Sequence, residues 1–434
     1  MRHTRNVKLN VHHLTRVEGH GNIVVDVEKG RIRECRWEIP EAPRFFEAMV
    51  RGRMWYELHH ITSRICGICS IAHTLTSVRA TEAAMEIAVS PQTERLRKLA
   101  KHAENLQSHI LHVGYLVLPD LMHVGSVVPL AASHRKELLT VIRIHRLSNE
   151  MSALVCGRTT HPQRIVPGGF TRLPARKELE GLKGRLEDCM ADLQAVVDLV
   201  VSLASNFPSF ERETEYIALV HPTEYPFCDG RVGSTDGGSR EASQYREVTN
   251  EYVVPHSTAK HARHNRESYM VGALARFNVN QERLSPCAAA AAGAFGLKAV
   301  NCNSFMNNAA QLVECVHSVE DSIRLIDEIL ADGLRDEKFE VKPGAGRGVG
   351  VIEAPRGILF HEYEYDREGR CVNANCVIPT NQNHGNIQRD LEALLQTVLD
   401  RSDGEIELAM EMLVRAYDPC ISCSTHYLDV TFER

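Results

Sequence analysis

Two Cys-x-x-Cys pairs stand at opposite ends of this chain, Cys66-Gly-Ile-Cys69 near the start and Cys420-Ile-Ser-Cys423 near the close. Two thiols separated by two residues can turn both sulfurs toward one metal ion, and Pro419 fixes the backbone just before the second pair. Four thiolates make a soft site, suited to zinc, iron or nickel rather than to magnesium or calcium. Structural zinc is the common use of four cysteines, yet zinc ribbons place their pairs about fifteen to twenty residues apart. Here nearly the whole chain lies between Cys69 and Cys420, so one shared metal requires folding to bring the two ends together. A histidine follows each pair, His73 and His426. Spacing alone leaves zinc and the redox metals both open.

A chain of 434 residues can build one large core with insertions, or two or three domains, without a zinc staple. Its net charge of -6 gives no reason to expect nucleic acid or an anionic membrane as partner. Thirteen cysteines are an odd count, scattered rather than paired. The first residues carry positive charge with no apolar core behind them, so no secretory signal is expected. No window reaches the apolar length of a membrane span. A reducing cytoplasm follows, with thiols free or metal-bound.

Arg64-x-Cys-Gly-x-Cys-x-x-x-His73 and Asp418-Pro-Cys-x-x-Cys-x-x-His426 resemble the two signature motifs of the nickel–iron hydrogenase large subunit, and the resemblance runs along most of the chain. It extends to Arg16-Val-Glu-Gly-His20, Glu41 to Glu47, His161 to Gly169 and Glu353 to His361. Ser108 and the run from Val254 to Arg276 resemble the cytoplasmic, multi-subunit branch. By this resemblance Cys66 and Cys420 are terminal nickel ligands, and Cys69 and Cys423 bridge nickel to an iron carrying one carbonyl and two cyanides. Glu18 receives the proton from Cys420, and Arg356 lies over the open face of the metals. His73 bonds a bridging sulfur, and the Pro379–Thr380 step bonds a cyanide; Asp418 opens the second motif beside them. Glu47, His426 and the backbone carbonyl of Cys376 hold a magnesium ion. The chemistry is coherent: splitting hydrogen heterolytically needs a site that accepts hydride and a base that accepts the proton.

The resemblance also implies partners. Cys189, Cys228, Cys287, Cys302 and Cys315 are isolated and read as small buried apolar residues, so electrons must leave through a small subunit carrying iron–sulfur clusters. Further carriers of flavin and nicotinamide, deazaflavin, ferredoxin or disulfide-reductase type are expected beyond it. Two other classes compete. One is a metal-free electron-transfer or proton-pump subunit related to the respiratory quinone reductase, which lacks the cysteines; the other is a zinc-stapled structural protein. Tyr427–Arg434 follow the last motif, where family precursors carry a removable extension; here they are expected to belong to the mature chain.

The fold expected is mainly α with β elements, one unit over 1–434. Residues 1–40 alternate apolar and polar about Lys29-Gly30 and read as a hairpin. A helical core over 41–335 starts with a run through 53. It carries long amphipathic patterns at 91–118, 135–156, 176–204 and 311–332, with a loop insertion near 216–252. His102, His109 and His112 on the first long helix read as packed histidines rather than ligands. A β/loop segment over 336–385 contains Gly344-Ala-Gly-Arg-Gly-Val-Gly350, which fails the dinucleotide fingerprint in its spacing and lacks a surrounding βαβ unit. Closing helices at 386–400 and 405–416 deliver the C-terminal metal motif within 386–434.

Overall fold

The computed structural model describes residues 5–337 and 339–426. Tyr427–Arg434 lie outside the described residues. At the N-terminus β1 (Val7–Val11), β2 (Asn22–Glu28) and β3 (Arg31–Glu38) form an antiparallel sheet. The hairpin at Lys29-Gly30 is present, with both turn residues at positive φ as a two-residue loop demands. The sheet is wider than a hairpin because β1 pairs along β2, Val7 opposite Val27. Alternation turns Ile23, Val25 and Trp37 into the core.

The helical run expected through residue 53 is the short helix α1 (Phe46–Val50), and a second short helix, α2 (Leu58–Thr62), follows beyond it. They lead to α3 (Ser70–Met85). Next, α4 (Pro91–Leu111) opens on Ser90, whose hydroxyl accepts the Thr93 N–H at 3.0 Å, with Pro91 at the first helical position. Its α geometry ends at Leu111 and not at 118. A widened π turn over His112–Val117 intervenes before α5 (Leu118–Leu121), the kind of local bulge that amphipathic periodicity does not register. After α6 (Leu130–Ser133) come α7 (Arg135–Cys156), the turn pair β4 (Ile165–Val166) and β5 (Gly169–Phe170), and α8 (Arg176–Ser202).

Residues 216–252, expected as a loop insertion, instead begin inside the protein. The strand β6 (Glu215–Val220) is buried along almost its whole length, and β7 (Arg231–Ser234) and β8 (Ser239–Arg240) extend its sheet. A separate ladder joins β9 (Asn250–Val254) to β10 (Ser257–Arg263), and β11 (Tyr269–Met270) runs parallel to β6. A strand buried on both faces shows no alternation, and the polar turn residues around it dominated the composition. Beyond it lie α9 (Ala273–Asn280), α10 (Pro286–Ala294) and α11 (Asn307–Asp332). Helices α4, α7, α8 and α11 pack around a ring, each against two of the others, so the expected long-helix bundle is present.

The last β unit is a meander of β12 (Gly346–Ala354), β13 (Gly357–Tyr365) and β14 (Cys371–Val377). Its glycines answer to packing: a Cβ at Gly348 or Gly350 would run into the α3 backbone at Ala80 and Thr76. The glycine-rich run is therefore a strand laid against a helix, with no phosphate loop in it. Two closing helices follow, α12 (Pro379–Val398) and α13 (Asp403–Ala416), then the single turn α14 (Ile421–Ser424). The first starts seven residues before the expected 386, with Pro379 at N1. Its opening Asn381-Gln-Asn-His384 looks non-helical only because amide side chains favour turns in isolation. One apolar cluster joins the N-terminal sheet, the bundle and both cysteine motifs.

Candidate metal centre

The two chain ends meet at the N-terminus of α3. Cys66 lies in the loop before it and Cys69 immediately precedes its first residue, while Cys420 and Cys423 flank the start of α14. All four sulfurs lie within 4.8 Å of one another, with Cys66 and Cys420 Sγ 3.5 Å apart and Cys420 and Cys423 Sγ 2.7 Å apart. The cysteines are at most 6 % exposed, so bulk water is excluded. Cys66 Sγ accepts the N–H groups of Ile68 at 3.2 Å and Cys69 at 3.3 Å. Thr380 Oγ1 accepts the Cys420 N–H at 3.1 Å.

Hydrogen bonds from Cys420, Cys423 and Cys69 hold the Cys66 thiol well below the usual cysteine range. The same contacts, with burial, push Cys420 well up; burial first of all raises Cys423. Four buried sulfurs this close oppose one another's ionisation. Ionising all four needs a cation among them, and the donor set suits a soft metal.

Glu18 is brought to this loop by a short strand-like pairing of residues 18 and 420. Its carbonyl accepts the Ile421 N–H at 3.0 Å, and its carboxylate accepts the Ser422 N–H at 3.1 Å. Gly19 sits at φ 86°, and a Cβ there would come within 2.7 Å of the Ile421 side chain and 2.9 Å of the Ser422 nitrogen, so only glycine allows this approach. On another side Arg356 donates to the Asp418 carbonyl at 2.6 Å, to its carboxylate at 2.7 Å, and to Ser108 Oγ at 3.4 Å. Burial opposes the guanidinium charge, but Asp418 and the neighbouring sulfurs outweigh it. Gln311 fixes the other Asp418 oxygen at 3.0 Å.

A second polar centre lies beyond Cys423. The His426 ring bonds the Glu47 carboxylate at 2.5 Å through Nδ1 and the Asn381 side-chain oxygen at 3.3 Å through Nε2. Burial raises the Glu47 carboxyl, and the His426 charge and hydrogen bond more than reverse that. Glu47 Oε2 is buried without a hydrogen-bond partner, an orphan oxygen of the kind a hard cation satisfies. Cys376, on β14 opposite His361, is close enough for the Glu47 charge to add to burial in raising its thiol.

The His73 ring lies close enough to Cys66 to feel its charge, and its Nδ1 is turned toward a second histidine. Its Nδ1 is 3.2 Å from His361 Nε2, and His361 Nδ1 is 2.8 Å from the Tyr363 hydroxyl. Burial pushes the His73 ring down to about 4, so it stays neutral. The three helix histidines are packed as read: His102 bonds Asp321, His109 bonds Glu314, and His112 bonds Gln311. Cys189, Cys228 and Cys315 are buried, whereas Cys302 is half-buried and Cys287 is exposed at the start of α10, both against expectation.

Sequence reading missed Glu104, whose carboxylate accepts the Ile71 and Ala72 N–H groups at 2.8 and 3.0 Å and pairs with Lys101 at 3.1 Å. It also missed His361, Gln311 and Asn381. The available signal was a buried-looking run of amides and histidine just after Pro379, with no solvent-facing period.

A long-helix bundle holding four buried thiols, contributed by both chain ends, defines a metalloprotein built around a soft metal. A family model described as nickel-dependent hydrogenase matches residues 44–138 and 234–426, and a HoxL-like model matches residues 8–42. Sulfhydrogenase 2 subunit alpha of Pyrococcus furiosus is 33% identical over 415 residues, covering 95% of this chain and 98% of that one. The NAD-reducing hydrogenase HoxS subunit beta of Cupriavidus necator is 27% identical over 471 residues, covering 97% and 95%. A solved NAD+-reducing [NiFe]-hydrogenase in the H2-reduced state superposes with a TM-score of 0.86 at 29% identity, covering 98% of this chain and 100% of that one. The Ni-Fe-Se hydrogenase of Desulfovibrio vulgaris Hildenborough, at 24% identity, shares the fold with a TM-score of 0.78 over 97% and 100%. The chain belongs to the nickel-dependent hydrogenase family and is the metal-bearing hydrogenase subunit. That sets aside the zinc-stapled structural protein.

Proposed function

We propose that the chain is the catalytic large subunit of a cytoplasmic nickel–iron hydrogenase, in which Cys66, Cys69, Cys420 and Cys423 would hold the nickel–iron pair. When bound, a nickel–iron pair with one carbonyl and two cyanides on iron supplies the electron-rich centre at which hydrogen is cleaved to protons and electrons. The convergence of four buried thiols carries this reading over the metal-free electron-transfer subunit.

The protein's part is to hold, polarise and move protons. Cys420 Sγ is the sulfur that takes a proton, and the Glu18 carboxylate, held by the Ser422 N–H, receives it. Glu18 is half-buried and so connects the dry interior with the outside. Arg356 presents a charge that is not consumed, fixed by Asp418 so that no reorganisation is needed during turnover. Thr380 aligns the Cys420 backbone, and Pro379 starts the helix that carries Thr380. Through His361, His73 is held as a neutral ring near Cys66. Glu47, His426 and the Cys376 carbonyl would hold magnesium, tying the C-terminal motif to α1.

Among the described residues the four cysteines are the one cluster of three or more His, Cys, Asp or Glu side chains that could hold a metal ion, with no second cysteine cluster to carry electrons onward, so electrons pass to a small subunit with iron–sulfur clusters. Beyond it lies a carrier subunit of flavin and nicotinamide, deazaflavin, ferredoxin or disulfide-reductase type. No helix among the described residues is long and apolar enough to cross a membrane. Elemental analysis of the purified complex tests the reading. Nickel and iron together in this subunit, with hydrogen-dependent dye reduction, support it. Zinc, or no metal, would overturn it.

A further inference from the structure

The chemistry above leaves unused a buried ion cluster behind Arg356. Arg276 on α9 is fully buried, and its guanidinium makes five hydrogen bonds, one for each N–H. Nε and Nη2 donate to the two Glu314 oxygens at 2.7 and 2.6 Å, and Nη1 donates to Glu353 at 2.9 Å. The remaining two reach backbone carbonyls, Nη1 to Ala354 at 3.0 Å and Nη2 to Pro355 at 2.9 Å. Those carbonyls belong to the two residues immediately before Arg356, in the tight turn between β12 and β13.

The anchor is itself anchored. Glu314 also accepts from the Tyr225 hydroxyl at 2.8 Å and lies 2.8 Å from His109 Nε2, while Glu353 accepts the Leu219 N–H at 2.7 Å. Four elements, α4, α11, β6 and β12, together with the loop at Tyr225, thereby fix the guanidinium that α9 carries, and that guanidinium fixes the turn. The turn has no slack on its other flank. Gly357 sits at φ 132°, with the Gly272 nitrogen 2.9 Å from where a Cβ would stand.

We propose that Arg276 is a positioning residue for hydrogen turnover: by clamping the Ala354 and Pro355 carbonyls it sets the place of the Arg356 guanidinium against Asp418 and Ser108. Two carboxylates alone would balance a buried cation at this spot, and a lysine could do that. Holding two carboxylates and two carbonyls in one plane takes the five-donor fork of arginine. The inference rests on the role given to Arg356 above, and it accounts for the Tyr269 to Arg276 run, which otherwise has no task at the site.

The test is a double-mutant cycle in the purified, metal-loaded complex, with Arg276→Lys, Arg356→Lys and the pair. Arg276→Lys keeps a charge between Glu314 and Glu353 but has three donors instead of five. With nickel content unchanged, it is expected to lower turnover by roughly 10²-fold, the scale of an ångström-size misplacement. The double variant should be no slower than Arg356→Lys alone. A crystal structure of Arg276→Lys should show the Arg356 guanidinium moved off Asp418. Wild-type turnover in Arg276→Lys, losses that add in the double variant, or an unmoved Arg356 would each overturn the proposal. Arg276→Gln is the second variant. If both fail to fold while Arg356→Lys folds, Arg276 serves the fold alone and the proposal is wrong. Wild-type turnover in Arg356→Lys would instead sink the role given to Arg356, leaving the crystal structure to decide the positioning.

Discussion

The Ser422 N–H donates to the Glu18 carboxylate at 3.1 Å across 404 residues of sequence. A carboxylate held this way has one oxygen committed to the loop between Cys420 and Cys423, and its position follows that of the metal motif. Such a group is oriented before any proton arrives.

Glu18→Gln keeps the size and the ability to accept from Ser422 but removes the base. Nickel and iron content should be unchanged. Hydrogen turnover and hydrogen–deuterium exchange should both fall by roughly 10²–10⁴-fold, the usual loss for a positioned general base. Exchange at the wild-type rate in the glutamine variant would mean that protons leave by another route.

Glu104 ties the start of α3 to α4 through the Ile71 and Ala72 N–H groups and Lys101. Burial raises the Glu104 carboxyl and lowers the Lys101 amine, each partly offset by the other's charge. Glu104→Ala leaves buried Lys101 without its carboxylate, with the Asn105 side-chain oxygen still accepting from it, and two helix N–H groups unpaired, so a stability loss of about 3–5 kcal/mol is expected in denaturant unfolding. A loss below about 1 kcal/mol would show that water or another group replaces it.

Acid should weaken the protein through its buried histidines. The His317 ring is lowered from 6.5 to about 4, by burial first and then by the His102 charge, against the opposing Asp321, Glu314 and Glu320. Its Nδ1 accepts the Ser285 N–H at 3.2 Å, which requires the neutral ring. Below about 6.5 the unfolded chain binds a proton that the folded one refuses, so this contribution is complete above 6.5 and drains away down to about 4. The full share is about 3 kcal/mol. In His317→Asn the decline of the unfolding midpoint with acid over this window should be shallower; an unchanged slope would contradict the assignment.

What the sequence disclosed and what it hid divide along a physical line. Helix α7 stands at its expected bounds because a surface helix writes a clear apolar stripe, and the four cysteines were legible because metal ligation dictates local spacing. The strand β6 was hidden because burial on both faces erases its alternation. The π turn at His112–Val117 leaves no periodic trace. Glu104, His361 and Arg276 act on residues far along the chain, Arg276 on carbonyls 78 and 79 residues away. No local pattern marks a partner that only folding supplies. The Glu47–His426 pair, 379 residues apart, was reached through the family resemblance alone.

The claim on which everything else depends is that Cys66, Cys69, Cys420 and Cys423 share one nickel–iron site. The direct measurement is nickel and iron per chain in the purified complex of the wild type and of the four single Cys→Ser variants, made alongside hydrogen uptake. An alkoxide is a harder and far less acidic ligand than a thiolate, so each variant should lose bound metal or hydrogen uptake while the wild type carries nickel and iron together. Full nickel content and full uptake in all four variants would contradict it.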